Sequence, residues 1–169
     1  MMNSISIFCF VTFVSLGLNQ MVKGDLISDT CGKALYKDLC EKTLRADPSS
    51  SGATLDGLAK IALNAASSSA KTTEGQIASL LKTTKDKDVI AALNDCNENY
   101  DSANEQLGDS LNAIAAKNYA DINTWVTAAM TDGDSCEGGF KSGSSPLTQA
   151  NTNFGHLCSN VLAIANQLK

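Results

Sequence analysis

Between Val89 and Ile114 the apolar residues Val89, Leu93, Cys96, Tyr100, Ala103, Leu107, Leu111 and Ile114 recur at steps of 4, 3, 4, 3, 4, 4 and 3. That period places a single apolar seam on an α-helix. No proline interrupts the stretch, and its one glycine, Gly108, weakens it only modestly. A helix with one seam cannot bury it alone. The rest of the chain must supply helices to pack around it, and this requirement constrains the fold more than any other feature.

Other segments meet the requirement. Asp25 to Asp47 carries Leu26, Ile27, Cys31, Leu35, Tyr36, Leu39, Cys40 and Leu44, which suit two short helical turns folded as a hairpin. Asp47-Pro48-Ser49-Ser50-Ser51-Gly52 is a loop by composition. Thr54 to about Lys82 predicts a first long helix, with Leu55, Leu58, Ala62, Ala65, Ser69, Ile77 and Leu80 near one face and Thr54 as its cap. The small side chains from Ala65 to Ala70 call for close approach by a neighbour. Asp86 or Asp88 caps the organising helix. Lys117-Asn118-Tyr119 ends it, and a third bundle helix runs from Tyr119 to about Cys136 with Ile122, Val126 and Ala129 inward. Pro146 suits the first turn of a last helix, whose seam is Leu147, Ala150, Phe154, Leu157, Val161, Ile164 and Leu168. The expected fold is all-α: an up-down-up-down four-helix bundle over 53–168, preceded by a helical hairpin over 25–48.

Residues 1–24 read as a secretory signal peptide. Ile5 to Leu18 is mostly apolar and uncharged, is short for a membrane span, and precedes the cleavage-like Val22-Lys23-Gly24. The mature chain, 25–169, is then one domain. Without Lys23 its net charge is about −6. An acidic chain with no basic patch is a poor match for nucleic acid or an anionic membrane surface, where cationic contacts supply the affinity.

Export makes disulfides the expected state of Cys31, Cys40, Cys96, Cys136 and Cys158. Five is odd, so one is left over. A Cys31–Cys40 bridge would staple a hairpin too short to hold itself. Cys96 starts one long helix and Cys136 closes its antiparallel neighbour, so the favoured second pair is Cys96–Cys136. Cys158, on the inward side of the last helix, then remains as a buried thiol.

Nothing in the chain marks an enzyme. His156 and Cys158 lie two apart and do not share a helix face. GxSxG, GxGxxG, P-loop and HExxH signatures are absent from the sequence. One histidine and no CxxC argue against a common zinc site, and no cofactor is implied. The patterned surface is acidic instead. Glu98, Asp101, Glu105 and Asp109 fall within about 80° on a helical wheel, opposite the seam. Trp125, three residues from Ile122, belongs to the core or to its rim.

Four passages, in order, resemble the plant invertase and pectin methylesterase inhibitor family. They are Cys31 and Leu39-Cys40 followed by Leu44 and Asp47-Pro48-Ser49; Asp95-Cys96 with Glu98 and Tyr100; Tyr119, Ala128-Ala129 and Cys136-Glu137 before Phe140; and Leu157-Cys158. The resemblance implies a hairpin-plus-bundle fold with first-to-second and third-to-fourth disulfides. It also implies secretion to the cell wall or routing to the vacuole, no catalysis, and binding over the active-site cleft of a carbohydrate-active enzyme. Invertase inhibitors typically place Pro-Lys-Phe in the turn before the third bundle helix, where this chain has Lys117, Asn118 and Tyr119. Leu157-Cys158 looks more like the methylesterase branch, whose extra cysteine stays free. The expected partner is therefore pectin methylesterase, with acid invertase as the alternative. The interface candidates are Glu98, Asp101, Glu105, Lys117, Asn118, Tyr119 and Ser135. A bundle carrying a small apolar ligand is the reading from a different class.

Overall fold

The structure is a computed structural model that describes residues 25–140 and 145–168. The expected signal peptide, 1–24, lies outside the described residues. Among the described residues, six α-helices follow in order: α1 (Leu26–Cys31), α2 (Lys37–Ala46), α3 (Leu55–Thr83), α4 (Lys87–Ala115), α5 (Tyr119–Gly138) and α6 (Thr148–Ala165). A single 3-10 turn, Pro48–Ser50, leads from α2 to α3.

The caps explain most of the boundaries. The Thr54 side chain accepts from the Gly57 amide to start α3, and Asp86 accepts from the Asp88 and Val89 amides to start α4. α4 ends in a Schellman arrangement: the Lys117 amide donates to the Ile114 carbonyl at 3.0 Å and the Asn118 amide to the Ala113 carbonyl at 2.9 Å. That motif needs a left-handed residue after the cap, and Lys117 supplies it with φ 57°. Glycine takes this conformation at no steric cost, whereas lysine pays for its Cβ. Lys117→Gly is therefore expected to stabilise the fold by up to about 1 kcal/mol. Urea unfolding checks this, and a destabilised variant would show that the lysine side chain holds the turn. α6 begins at Thr148, so Pro146 precedes the helix instead of entering its first turn. The Ser145 side chain accepts from the Leu147 amide at 3.0 Å there, which holds Pro146 in a turn.

α3, α4, α5 and α6 pack as a ring, each against its chain neighbours and α6 back onto α3. α1 and α2 rest on α3 and α6. The hairpin thus covers one side of the ring and leaves the α4–α5 side open. The α4 seam is buried as its period requires, with Val89 and Leu111 only half-buried at the margins. α3 departs from expectation. Its buried residues include Ala59, Ile61, Leu63, Ala66, Ala70 and Thr73, while Leu55, Ala65, Ser69 and Leu80 are half-buried. The cause is the number of neighbours. α3 is flanked by α4, α6 and the hairpin, so it buries a broad face instead of one stripe.

Two disulfides staple the fold: Cys31–Cys40 joins the hairpin, and Cys96–Cys136 joins α4 to α5 with 4.5 Å between Cα atoms. Cys158 is a free, fully buried thiol, and burial pushes its pKa up to about 12. It is protonated and shielded, which makes it a poor nucleophile.

Candidate functional site

The open flank is made by α4 and α5. The Cys96–Cys136 bridge pins one end of the pair, and Glu98 and Ser135 stand exposed beside it. Further along α4 the carboxylates of Asp101, Glu105 and Asp109 are also exposed, so the acidic stripe faces solvent. The Lys117-Asn118-Tyr119 turn closes the other end. From Glu98 to Ala115, just before that turn, the helix advances roughly 26 Å at 1.5 Å per residue. The interface candidates therefore fall into two groups, one at each end of the flank.

Lys117 and Asn118 are exposed, whereas Tyr119 is half-buried. The Tyr119 hydroxyl donates to Asp56 at 2.7 Å, tying the start of α5 to the start of α3, and this bond raises the phenol's pKa. Tyr119 thus has a structural task that its place in the turn did not reveal.

A buried polar network supports the disulfide end. The Tyr100 hydroxyl, fully buried on the α4 seam, donates to the Asn151 carbonyl oxygen at 2.8 Å. The Asn151 amide donates to Glu137 at 2.6 Å, and the Thr148 hydroxyl donates to the other Glu137 oxygen at 2.5 Å. Desolvation pushes the Glu137 pKa up, but these bonds outweigh it and hold the carboxyl below its ordinary value. Burial moves Tyr100 in the opposite direction, well above the ordinary phenol range. Sequence periodicity counted Tyr100 as an apolar residue and missed the network. The signal available was its phenol on an otherwise apolar seam, which demands a partner.

Two carboxyls at the edges of α4 are raised. Burial raises Glu74, helped by the nearby Asp101, although the Asn104 amide donates to it at 2.7 Å. Burial raises Asp132 as well, and only the Gln106 side chain opposes it. A raised carboxyl favours the protonated form in the folded state. Its stability contribution is complete below the ordinary carboxylate range and is lost as pH rises through the folded-state pKa. Glu137, held low, contributes above that range and loses its contribution in strong acid. As pH rises from about 4, a Glu74→Gln, Asp132→Asn variant is thus expected to lose less thermal stability than the wild type. An unchanged slope in melting scans would overturn the assignment.

Among the described residues, no cluster of three His, Cys, Asp or Glu side chains could hold a metal ion. His156 stacks on Tyr36 of the hairpin, with ring centroids 3.6 Å apart. A small cavity lined by Cys40, Leu44, Ala62, Leu157 and Asn160 measures about 10 Å³, which is too small for an apolar ligand. No helix among the described residues is long and apolar enough to cross a membrane.

Residues 25–164 match the family described as "Plant invertase/pectin methylesterase inhibitor". The chain belongs to this family. Among its curated relatives is a "Pectinesterase inhibitor" of Actinidia deliciosa, 32% identical, with 97% of this chain and 92% of that protein covered. A protein of Platanus acerifolia named "Putative invertase inhibitor" is equally similar, at 32% with 98% and 97% covered. A crystal structure of a mutant form of a pectin methylesterase inhibitor from Arabidopsis superposes with a TM-score of 0.73. It is 26% identical, with 85% of this chain and 97% of that chain covered. The family and these relatives are inhibitors and not enzymes, and the helical bundle is the fold this chain shares with its structural neighbours. The family implies an enzyme partner, a pectin methylesterase or an invertase, and its members are typically extracellular.

Proposed function

We propose that the protein is a secreted inhibitor of pectin methylesterase that lays its α4–α5 flank over the enzyme's substrate cleft and excludes the polymer. The carrying observation is the flank itself. The hairpin occupies the opposite side of the ring, and Glu98, Asp101, Glu105 and Ser135 are exposed on the free side. Inhibition of this kind needs no covalent step, only a surface that fits the cleft and stays rigid. The disulfide and the Glu137 network supply the rigidity at the Ser135 end. The acidic stripe supplies charge steering toward a basic enzyme, so binding is expected to weaken with added salt.

Acid invertase is the second reading. Its support is positional: Lys117, in the left-handed region, and Asn118 are exposed at the far end of the flank, in the turn where the family's invertase inhibitors typically carry the Pro-Lys-Phe that this chain lacks. Activity assays of a pectin methylesterase and an acid invertase, each with the oxidised mature chain at mildly acidic pH, decide between them. Loss of methylesterase activity that is weakened by Glu98→Lys and unaffected by Lys117→Ala supports the flank. The reverse pattern on invertase supports the turn. No inhibition of either enzyme sinks both readings.

A further inference from the structure

Trp125, in the far half of the flank beside the Lys117-Asn118 turn, is used by neither target reading. The inward stripe of α5 is Ile122, Val126, Ala129 and Gly133, all buried. Trp125 is offset from that stripe and is 37% exposed, the one exposed large hydrophobic side chain of the four-helix ring among the described residues. It lines an open groove of about 330 Å³ together with Asp109, Asn112 and Ala113 of α4, Asn118 of the turn and Asp121 of α5. An indole bordered by two carboxylates attracts a cation twice: through the π face and through direct charge pairing. The countercharge is not already supplied within the groove. Lys117, in the adjoining turn, is the nearest cation in sequence and does not line it, and Asp121 accepts only a neutral amide hydrogen from Asn118 at 2.5 Å. α4 carries no basic residue in its last turn.

We propose that this groove seats an arginine side chain of the enzyme that the inhibitor binds, stacked on Trp125 and paired with Asp109 and Asp121. The proposal rests on the inhibitor reading and adds a subsite chemistry to it. A planar guanidinium suits both halves of the groove better than an ammonium, because it stacks and donates in a fork at once. A buried aromatic–arginine contact of this kind is what concentrates binding energy at protein interfaces.

Trp125 is the only tryptophan in the sequence, which makes a site-specific readout possible. The mature chain labelled with 5-fluorotryptophan gives one 19F resonance. It is titrated with a pectin methylesterase, with an acid invertase, and at millimolar concentration with acetyl-Arg-Arg-Arg-amide and its uncharged citrulline counterpart. The resonance is expected to shift with the inhibited enzyme and with the arginine peptide, to return with salt in the peptide case, and to ignore the citrulline peptide. Trp125→Ala is expected to weaken inhibition by about tenfold or more, and the Asp109→Asn, Asp121→Asn pair by about tenfold with a shallower salt dependence. Inhibition with an unmoved resonance and a fully active Trp125→Ala overturns the subsite while the inhibitor reading stands. A shift with enzyme that the charge variants leave unchanged overturns the arginine and leaves an apolar contact. If neither enzyme is inhibited, the inhibitor reading fails, and the peptides alone decide whether the groove takes a guanidinium.

Discussion

Replacing Cys96 and Cys136 together by alanine is expected to cost about 4 kcal/mol of stability. Their bridge closes a loop across α4 and α5 with a sequence separation of 40. In the chain-entropy account, opening such a loop returns that much freedom to the unfolded state. The short Cys31–Cys40 loop, separation 9, is worth about 2.7 kcal/mol on the same basis. Against a typical total of about 5–15 kcal/mol, the first loss is large. It should also fall on function, because the bridge fixes the relative position of Glu98 and Ser135. Urea unfolding of both double variants, with inhibition assays below the unfolding midpoint, checks the order. Greater harm from losing the hairpin bridge would show that the hairpin, and not the α4–α5 flank, organises binding.

Phe154→Ala should cost about 3–5 kcal/mol. The ring is fully buried in α6, 5.3 Å from the Tyr100 ring and tilted 56° to it. Gly133 of α5 also abuts the ring, and a Cβ added there would sit 2.8 Å from Phe154 Cδ1. The glycine is a notch cut for the ring, since no flexible end can move aside. Gly133→Ala is accordingly destabilising by about 1–3 kcal/mol in the wild-type background. In the Phe154→Ala background the clash is gone, and alanine's advantage over glycine in a helix, about 1 kcal/mol, should appear instead. A double-mutant cycle measures this reversal. Additive costs would mean that the notch and the ring are independent.

Much of this architecture was legible in advance because helix period and capping chemistry act locally. The α4 seam, the Thr54 cap, the Asp86 cap and the inward residues of α5 depend on spacing within one helix, and each is where the spacing puts it. The α3 face was read too narrowly, since a single-stripe rule cannot count neighbours. Periodicity sorts residues by apolarity and carries no information about a phenol's partner, so the Tyr100–Asn151–Glu137 network stayed hidden. It spans three helices and 51 residues between its first two members.

The helices, their order, the cysteines near enough to pair, and the membership of this chain in a family of enzyme inhibitors can all be read along the chain. These follow from local periodicity, chain length and a handful of ordered motifs. Only the tertiary structure decided which side of the ring stays open and that the interface candidates divide between two ends of one flank. It alone seated Trp125 between carboxylates from two different helices. Those facts depend on where the hairpin docks and how the helices are rotated about their axes. Both are set by contacts between residues far apart in the chain, which no pattern along the chain can encode.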